Sequence, residues 1–446
     1  MTYAMLAALL CVVPGERLVR TLDIAPVWAG HYVAFDLLTT ADRQFAAFYD
    51  ADRQMTVAAR RLDESTWRFA RLPSRVGWDS HNYLALAVDD EGLLHLSGNM
   101  HAGPLVYFRT TRPWDIDSFA RATPMVGVEE DRTTYPEFFR GPAGEFIFTY
   151  RHGYSGNGNQ VYNVWSSRTH TWRRLLDKPL TDGEGQRNAY LTGPTLGPDG
   201  YWHLAWVWRE TGDAATNHDL SYARSRDLHR WEKSDGTPLT LPVTLATGEI
   251  VAPVPVGGGM INSNIRIGFD HHQRVILSYH RFDERGFTQI YNARREGGAW
   301  RHQVATDWDY RWAFGGGGTL LSELRIGEVL PAGPGRLRQG YWHAKKGTGV
   351  VLLDEATMEP VGLEPLPPSP MDPYNTPEGT FPGLLVRWLW RAGPQPGTRF
   401  GLRWETMPAH RDQARPQPWP APSMLRLYEC RTEPARTAAP RTSTLW

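Results

Sequence analysis

Four stretches of this chain share one plan. DDEGLLHLSG, GPAGEFIFTYRHG, GPDGYWHLAWVWRETG and DHHQRVILSYHRFDERG each place a tight turn before an apolar run. Each is followed by a second strand-like run and a polar turn that closes on a tryptophan, at Trp114, Trp172, Trp231 and Trp300. Trp67 closes an earlier copy after DRQFAAFYDADRQ. A repeat constrains the fold more than local propensity does, because every copy must bury the same face against its neighbours. A unit of roughly 50 to 70 residues, built of alternating strands and closed by Trp, predicts the four-stranded blade of a β-propeller. LPAGPGRLRQGYWHAKKGTGVVLLD and the pair FGLRWETMPAHRD and SMLRLYEC supply two further copies. The expected fold is therefore all-β, a seven-bladed β-propeller, with the N-terminal segment pairing with the last strands so that no sheet edge is left open.

This reading gives one catalytic domain over residues 1–430, with 431–446 (RTEPARTAAPRTSTLW) as a flexible tail and LEPLPPSPMDPYNTPEGTFPG as a surface connection. The opening MTYAMLAALLCVVPG is apolar enough for a secretion signal but lacks the preceding Lys or Arg, so residues 1–14 are either a signal or a first strand. A secreted or periplasmic location is expected, with a cytoplasmic one as the alternative. No other run approaches the roughly 20 apolar residues of a spanning helix. Cys11 and Cys430 are the only cysteines, which excludes a disulfide framework and a cysteine-rich metal knuckle. Lys plus Arg and Asp plus Glu balance at 48 each, so the overall charge gives no reason to expect nucleic acid or an anionic membrane as partner. A monomer without cofactor or metal is expected.

Charge is nevertheless placed by the repeat. Taking the apolar run as the channel-lining strand of each blade, the residues just past it converge at one face: His101, Arg151, Arg209 and Arg281. The alternative is that these cations pair with neighbouring acids such as Glu210 and Asp283. A repeated cation in a neutral protein points to an anionic ligand, such as a carboxylate or sulfate, gripped by guanidinium groups. Trp206 and Trp208 can stack on sugar rings or pack between blades. His218, in NHDLSY, reaches toward the same mouth as Arg209, and Asn82 flanks His81.

His81 and His101 stand at the two ends of one hairpin, WDSHNYLALAVDDEGLLHLSGNMH, and Tyr135 and Arg151 at the ends of the next. A hairpin brings its ends within about 5 Å, so two neighbouring units present two imidazoles, a phenol and a guanidinium together. That set suits β-elimination from a uronic acid, which needs a cation on the carboxylate, a base for the C5 proton and an acid for the departing oxygen.

The stretches DSHNYLALAVDDEGLLHLSGNMH, TTYPEFFR, GEFIFTYRHGYSGNGNQ, NHDLSYARSRD and LRWETMPAHRD resemble the propeller proteins with bacterial neuraminidase-type repeats, among them ulvan lyases and rhamnose-glucuronate lyases. The resemblance covers most of residues 15 to 430. It implies catalysis by His81, His101, Tyr135 and Arg151. Tyr135 is then general base and acid, His81 a second base or proton shuttle, and Arg151 with His101 the carboxylate neutralisers. Asn82, Arg209, His218, Arg281 and Trp208 are the accompanying candidates for substrate binding. Implied as substrate is an anionic polysaccharide or oligosaccharide with rhamnose on O4 of glucuronic acid, as in ulvan or arabinogalactan side chains.

Some similar proteins carry a structural metal, but no Cys/His cluster is evident in this sequence. An α-L-rhamnosidase among similar propellers hydrolyses the same kind of linkage, so a hydrolase is the first alternative. A sialidase, with Arg151, Arg209 and Arg281 as its arginine triad, and a non-catalytic carbohydrate-binding propeller are the others.

Overall fold

A computed structural model describes residues 16–366 and 369–432; the expectations for residues 1–14, for Cys11 and for residues 433–446 of the tail lie outside the described residues, whereas Arg431 and Thr432, expected to begin that tail, end the last strand and pair with Arg17 and Glu16. The chain is all-β, with only four short 3-10 turns among the described residues. Why the repeat folds as it does is visible in its turns. In DDEG, the Asp89 carboxylate accepts from the backbone N–H groups of Glu91 and Leu93, and Gly92 takes φ +83°. Gly144 and Gly200 adopt the same left-handed turn geometry, and in DHHQ the position falls to Gln273 at φ +62°. The consequence is a hairpin between two strands of one sheet, so the apolar run after each turn is the second strand of its unit. The first strand lies before the turn, which corrects the strand assignment used to align the cations.

Six hydrogen-bonded sheets result. Asp36–Thr39, Arg43–Tyr49, Gln54–Arg61 and Arg68–Arg75 pair in chain order, as do Leu84–Val88, Leu94–Gly98, Tyr107–Thr110 and Phe119–Arg121. Arg266–Phe269 opens one further four-stranded sheet and Leu324–Pro331 another. The nine-stranded sheet is two antiparallel groups, opened by Thr133–Arg140 and by Asn188–Leu196, joined through a single parallel pair at Gly158 and Asn188. In the last sheet the order is Glu16–Val27, Ser423–Thr432, Thr398–Thr406, Leu385–Ala392, so the first described strand pairs antiparallel with the last. The expected pairing of the N-terminal segment with the last strands is present.

The closing tryptophans stand where the repeat places them. Trp172, Trp231 and Trp300 lie in the outermost strand of their groups, Trp67 directly precedes one, and Trp114 sits in the turn before another. Packing between sheets ties the two chain ends together: Phe35, at the entry of the first sheet, stacks on Trp404 of the last with ring centroids 4.7 Å apart, and both are almost fully buried. Trp206 and Trp208 are completely buried and meet edge-on at 6.3 Å, and the Trp208 indole donates to Ser221 Oγ. Trp208 is therefore a packing residue and not a sugar-stacking platform, because its strand buries both faces between neighbouring sheets. No helix among the described residues is long and apolar enough to cross a membrane.

Trp404→Ala should destabilise the fold by roughly 3–5 kcal/mol, the range for deleting a large buried aromatic. Leu363→Ala, at a side chain that is 69% exposed, should stay within about 0.5 kcal/mol. Urea denaturation of the two variants checks the contrast.

Candidate active site

The turn at 78–82 leads into Leu84–Val88, and His101 follows Leu94–Gly98. Leu84 is paired with Gly98, so the hairpin brings its ends together. The two imidazoles stack, with centroids 3.9 Å apart and planes 23° from parallel. A single carboxylate sets their orientation. Asp79 Oδ1 accepts from the His81 backbone N–H at 2.8 Å and from His81 Nδ1 at 2.7 Å, while Oδ2 accepts from His101 Nδ1 at 2.6 Å. With Nδ1 tied down on both rings, Nε2 is left as the working nitrogen of each.

Asp412 adds a second carboxylate on one side only, 3.4 Å from His81 Nδ1. It also accepts from the Ser80 backbone N–H and hydroxyl, both at 3.2 Å, and from the Thr319 backbone N–H at 2.8 Å. This asymmetry separates the two histidines. Burial disfavours charge on both, but for His81 the bonds to Asp412 and Asp79 outweigh it and lift the pKa to about 9. At His101 burial prevails over its one carboxylate, the His81 charge adds to it, and the pKa is lowered. At neutral pH His81 is an imidazolium and His101 carries a free lone pair on Nε2.

Asp79, His81, His101 and Asp412 offer ligand-type atoms all within 4.8 Å of one another. Sequence spacing gave no sign of such a group, since Asp412 joins it from the far end of the chain. The contacts of 2.6 and 2.7 Å are hydrogen-bond lengths, shorter than the separation of neighbouring ligands around a metal ion at about 2 Å. In this structure the groups are joined to one another by those hydrogen bonds.

On the next unit Thr134 is paired with Arg151. A register shift between Thr134 and Glu137 swings Tyr135 out of the ladder at φ +61°. A bulky residue held there costs on the order of 1–3 kcal/mol, which is characteristic of functional positions. The phenol ring comes to 5.6 Å from His81, and Arg151 Cζ lies 5.0 Å from its centroid. Arg151 donates to Thr134 Oγ1 at 2.9 Å and to the Tyr190 hydroxyl at 3.2 Å, and its Nε is buried without a partner. No carboxylate pairs with it among the described residues. Being only 1% exposed, it acts on the pocket through Tyr135 and Tyr190 rather than as an open clamp.

Tyr190 is the residue that the sequence reading missed. It is third in its strand, as Tyr135 is in Thr133–Arg140, so alignment of the first strands could have found it. The two rings lie 6.1 Å apart and diverge in acidity. Burial and the neighbouring Tyr190 hold the Tyr135 phenol well above its ordinary pKa. Burial also acts on Tyr190, but the charges of Arg151 and Arg209 and the Ser155 hydroxyl overcome it and lower its pKa.

Of the other expected positions, Arg209 joins the cluster, with Cζ 5.4 Å from the Tyr190 ring. It donates to the carbonyls of Thr211, Gly212 and Asp213 rather than pairing with Glu210. Glu210 is bound instead by Arg187 and His218. His218 is thus engaged between Glu210 and Asp219 and not turned to the cluster. Arg281 lies over Tyr291 at 4.5 Å and acts on Tyr279, Tyr291 and His302. It does not converge with the others, because its tyrosine neighbours hold it on its own sheet. Asn82 lines a groove of about 450 Å³ with Asp79, Asn99, His101 and Arg121.

Similarity to known proteins follows the same outline. Two solved structures share the fold at 14% identity. One is the polysaccharide lyase Uly1, matched over 94% of this chain and 100% of that one with a TM-score of 0.61. The other is a PL25 ulvan lyase bound to -[GlcA(1-4)Rha3S]-, matched over 88% and 94% with a TM-score of 0.58. No curated protein matches the sequence. Residues 43–308 match the family model described as BNR repeat-containing family member, and the chain belongs to that BNR repeat-containing family.

Proposed function

We propose that this protein is a polysaccharide lyase that cleaves a rhamnose-(1→4)-glucuronic acid linkage by β-elimination and leaves an unsaturated uronate. One observation carries the reading: two stacked imidazoles on one carboxylate, a phenol beside them and two guanidinium groups without carboxylate partners meet at the ends of neighbouring hairpins. In this reading the uronate carboxylate sits in the positive field of Arg151, Arg209 and the His81 imidazolium. Preorganised charge of this kind stabilises the developing enolate and is worth roughly 100- to 1000-fold in rate per donor. Neutral His101 takes the C5 proton on Nε2. The C5–H electrons form the C4=C5 double bond, the bond from C4 to the leaving oxygen breaks, and the Tyr135 phenol protonates that oxygen.

These charge states revise the roles implied by resemblance. His81 rather than His101 is the cation, and Tyr135 acts as the acid alone rather than as both base and acid. The architecture proposed with this chemistry is one domain of seven blades over residues 1–430: five four-stranded sheets and the two halves of the nine-stranded one. The sialidase alternative loses support because Arg281 stands apart from Arg151 and Arg209, leaving no arginine triad.

Incubation with a rhamnose-glucuronate polysaccharide should raise ultraviolet absorbance from the unsaturated product, and Tyr135→Phe should lower the rate at least 100-fold. Release of rhamnose without absorbance means hydrolysis, and binding without product means a lectin.

The pH profile tests the histidine assignment. His81 has its pKa raised to about 9, so the active imidazolium is present below that value and activity should fall as pH rises through it. Asp412→Asn removes one of the carboxylates that hold the proton and should move this alkaline limb to lower pH. The same linkage makes the His81 contribution to stability complete below pH ~6.5 and lost through pH 9. An alkaline limb that stays in place in Asp412→Asn rules out His81 as its source.

A further inference from the structure

Most arginines of this protein meet an acid or a row of carbonyls. Arg391 pairs with Asp36 at 2.7 Å, Arg403 with Glu405 at 2.9 Å, and Arg294 with Asp270 at 3.2 Å. Arg325 and Arg387 do not. Among the described residues neither forms an ion pair or donates a side-chain hydrogen bond, and Arg387 Nε is buried without an acceptor. Their neighbours are aromatic faces: Arg387 Cζ lies 4.6 Å from the Tyr32 ring, and Arg325 Cζ lies 5.6 Å from Trp342.

Tyr32 links the two: Arg387 lies over its ring, and the charges of both arginines act on it. Arg325 is second in Leu324–Pro331 and Arg387 third in Leu385–Ala392, each an edge strand of its sheet. Tyr135 is third in Thr133–Arg140, also an edge strand, so all three stand near the start of such a strand. Tyr32 adjoins His31, whose ring feels the charges of Asp412 and Asp79 of the histidine cluster. Each arginine is desolvated, and Arg387 also feels the charge of Arg325, so its pKa falls to about 10. Two like charges, poorly hydrated and unpaired, are costly unless an anion comes between them.

We propose that Arg325 and Arg387, with Tyr32 beneath, form an oxyanion site for a sulfate or carboxylate group, separate from the Arg151 and Arg209 pair. The site stands on the two arginines alone. Its use for a second anionic substituent of a bound polysaccharide rests on the lyase reading. A free inorganic anion is the other source of the same chemistry.

Thermal unfolding in sodium sulfate and in sodium chloride at equal ionic strength tests the site without any activity assay. Sulfate should raise the Tm of the wild type saturably at millimolar concentration, by a few degrees, as a ligand of the native state does. Arg325→Met/Arg387→Met should unfold at higher temperature than wild type in chloride and lose the saturable sulfate increment. Arg338→Met, at an exposed arginine, should keep it. If the double variant does not fold, Arg387→Gln alone should weaken the sulfate midpoint about tenfold. No saturable shift in the wild type, or an unchanged one in the variants, overturns the site.

KM for a 3-sulfated and a desulfated rhamnose-glucuronate oligosaccharide then separates the sources. A KM about tenfold lower for the sulfated form, lost in the variant, assigns the site to the polysaccharide. Equal KM values with the thermal shift intact assign it to a free anion and overturn the substrate role.

Discussion

The chelation of two imidazoles by Asp79 is the contact on which the rest of the site depends. A stacked pair of rings has no preferred rotation about the stacking axis, and two protonated rings at 3.9 Å would repel. One carboxylate bonded to both Nδ1 atoms removes the first freedom and neutralises one charge, which is as many as the pair carries at neutral pH. Asp79 is itself pinned in a turn by the His81 backbone N–H, so the hairpin start, the carboxylate and both rings move as one body. Asp412 then breaks the symmetry, since it reaches only His81. Two chemically identical side chains are thereby driven toward opposite protonation states, the condition that the proposed proton abstraction beside a cation requires.

The same logic of uncompensated charge governs the other half of the site. A chain with equal numbers of acids and bases could have paired every arginine, and elsewhere this one mostly does. Arg151 is instead enclosed by Thr134, Tyr135 and Tyr190. Its charge raises no carboxylate to meet it; it lowers the acidity threshold of Tyr190 and leaves Tyr135, at its strained backbone position, to face His81. A buried guanidinium without a counter-charge is tolerable where a ligand will bring one, and the cost resembles that of the left-handed Tyr135: both are local penalties met by the surrounding sheets.

How much of this was legible in sequence follows from where each signal lies. The hairpins were readable because turn, apolar run and closing Trp recur at fixed order, and hairpin geometry then places His81 beside His101 and Tyr135 beside Arg151 without knowledge of the whole fold. The D-x-x-G turn was read as the start of a unit, when its carboxylate and positive-φ residue make it a turn inside one; the cations therefore follow second strands. Trp208 looked available because composition cannot tell a strand buried on both faces from one lining a mouth. Arg281 occupies the repeat position of Arg151 but has its own tyrosines to cover it. Tyr190 was discoverable from the alignment of first strands, whereas Asp412 was not: nothing local in PAHRD announces a partner some 330 positions earlier.

That last distance carries a consequence for how the site comes into being. Asp412 lies in the connection between Thr398–Thr406 and Ser423–Thr432, the strands of the sheet that also receives Glu16–Val27. Its own backbone and that of Arg411 are left-handed, at φ +59° and +53°. Arg411 donates to the carbonyls of Gly315 and Gly317, and Asp412 accepts from Thr319 and Ser80. The glycine run FGGGGT is thus a seat for this loop, because Gly318 meets the Arg411 backbone at a distance that leaves no room for a side chain. Three segments remote in sequence converge on one carboxylate. The second carboxylate that holds the proton on His81 is therefore supplied from the last sheet. Without Asp412 the chain would hold the Asp79 pair but not its asymmetry, so the proton inventory of the candidate active site depends on this long-range contact as well as on the hairpin that carries the histidines.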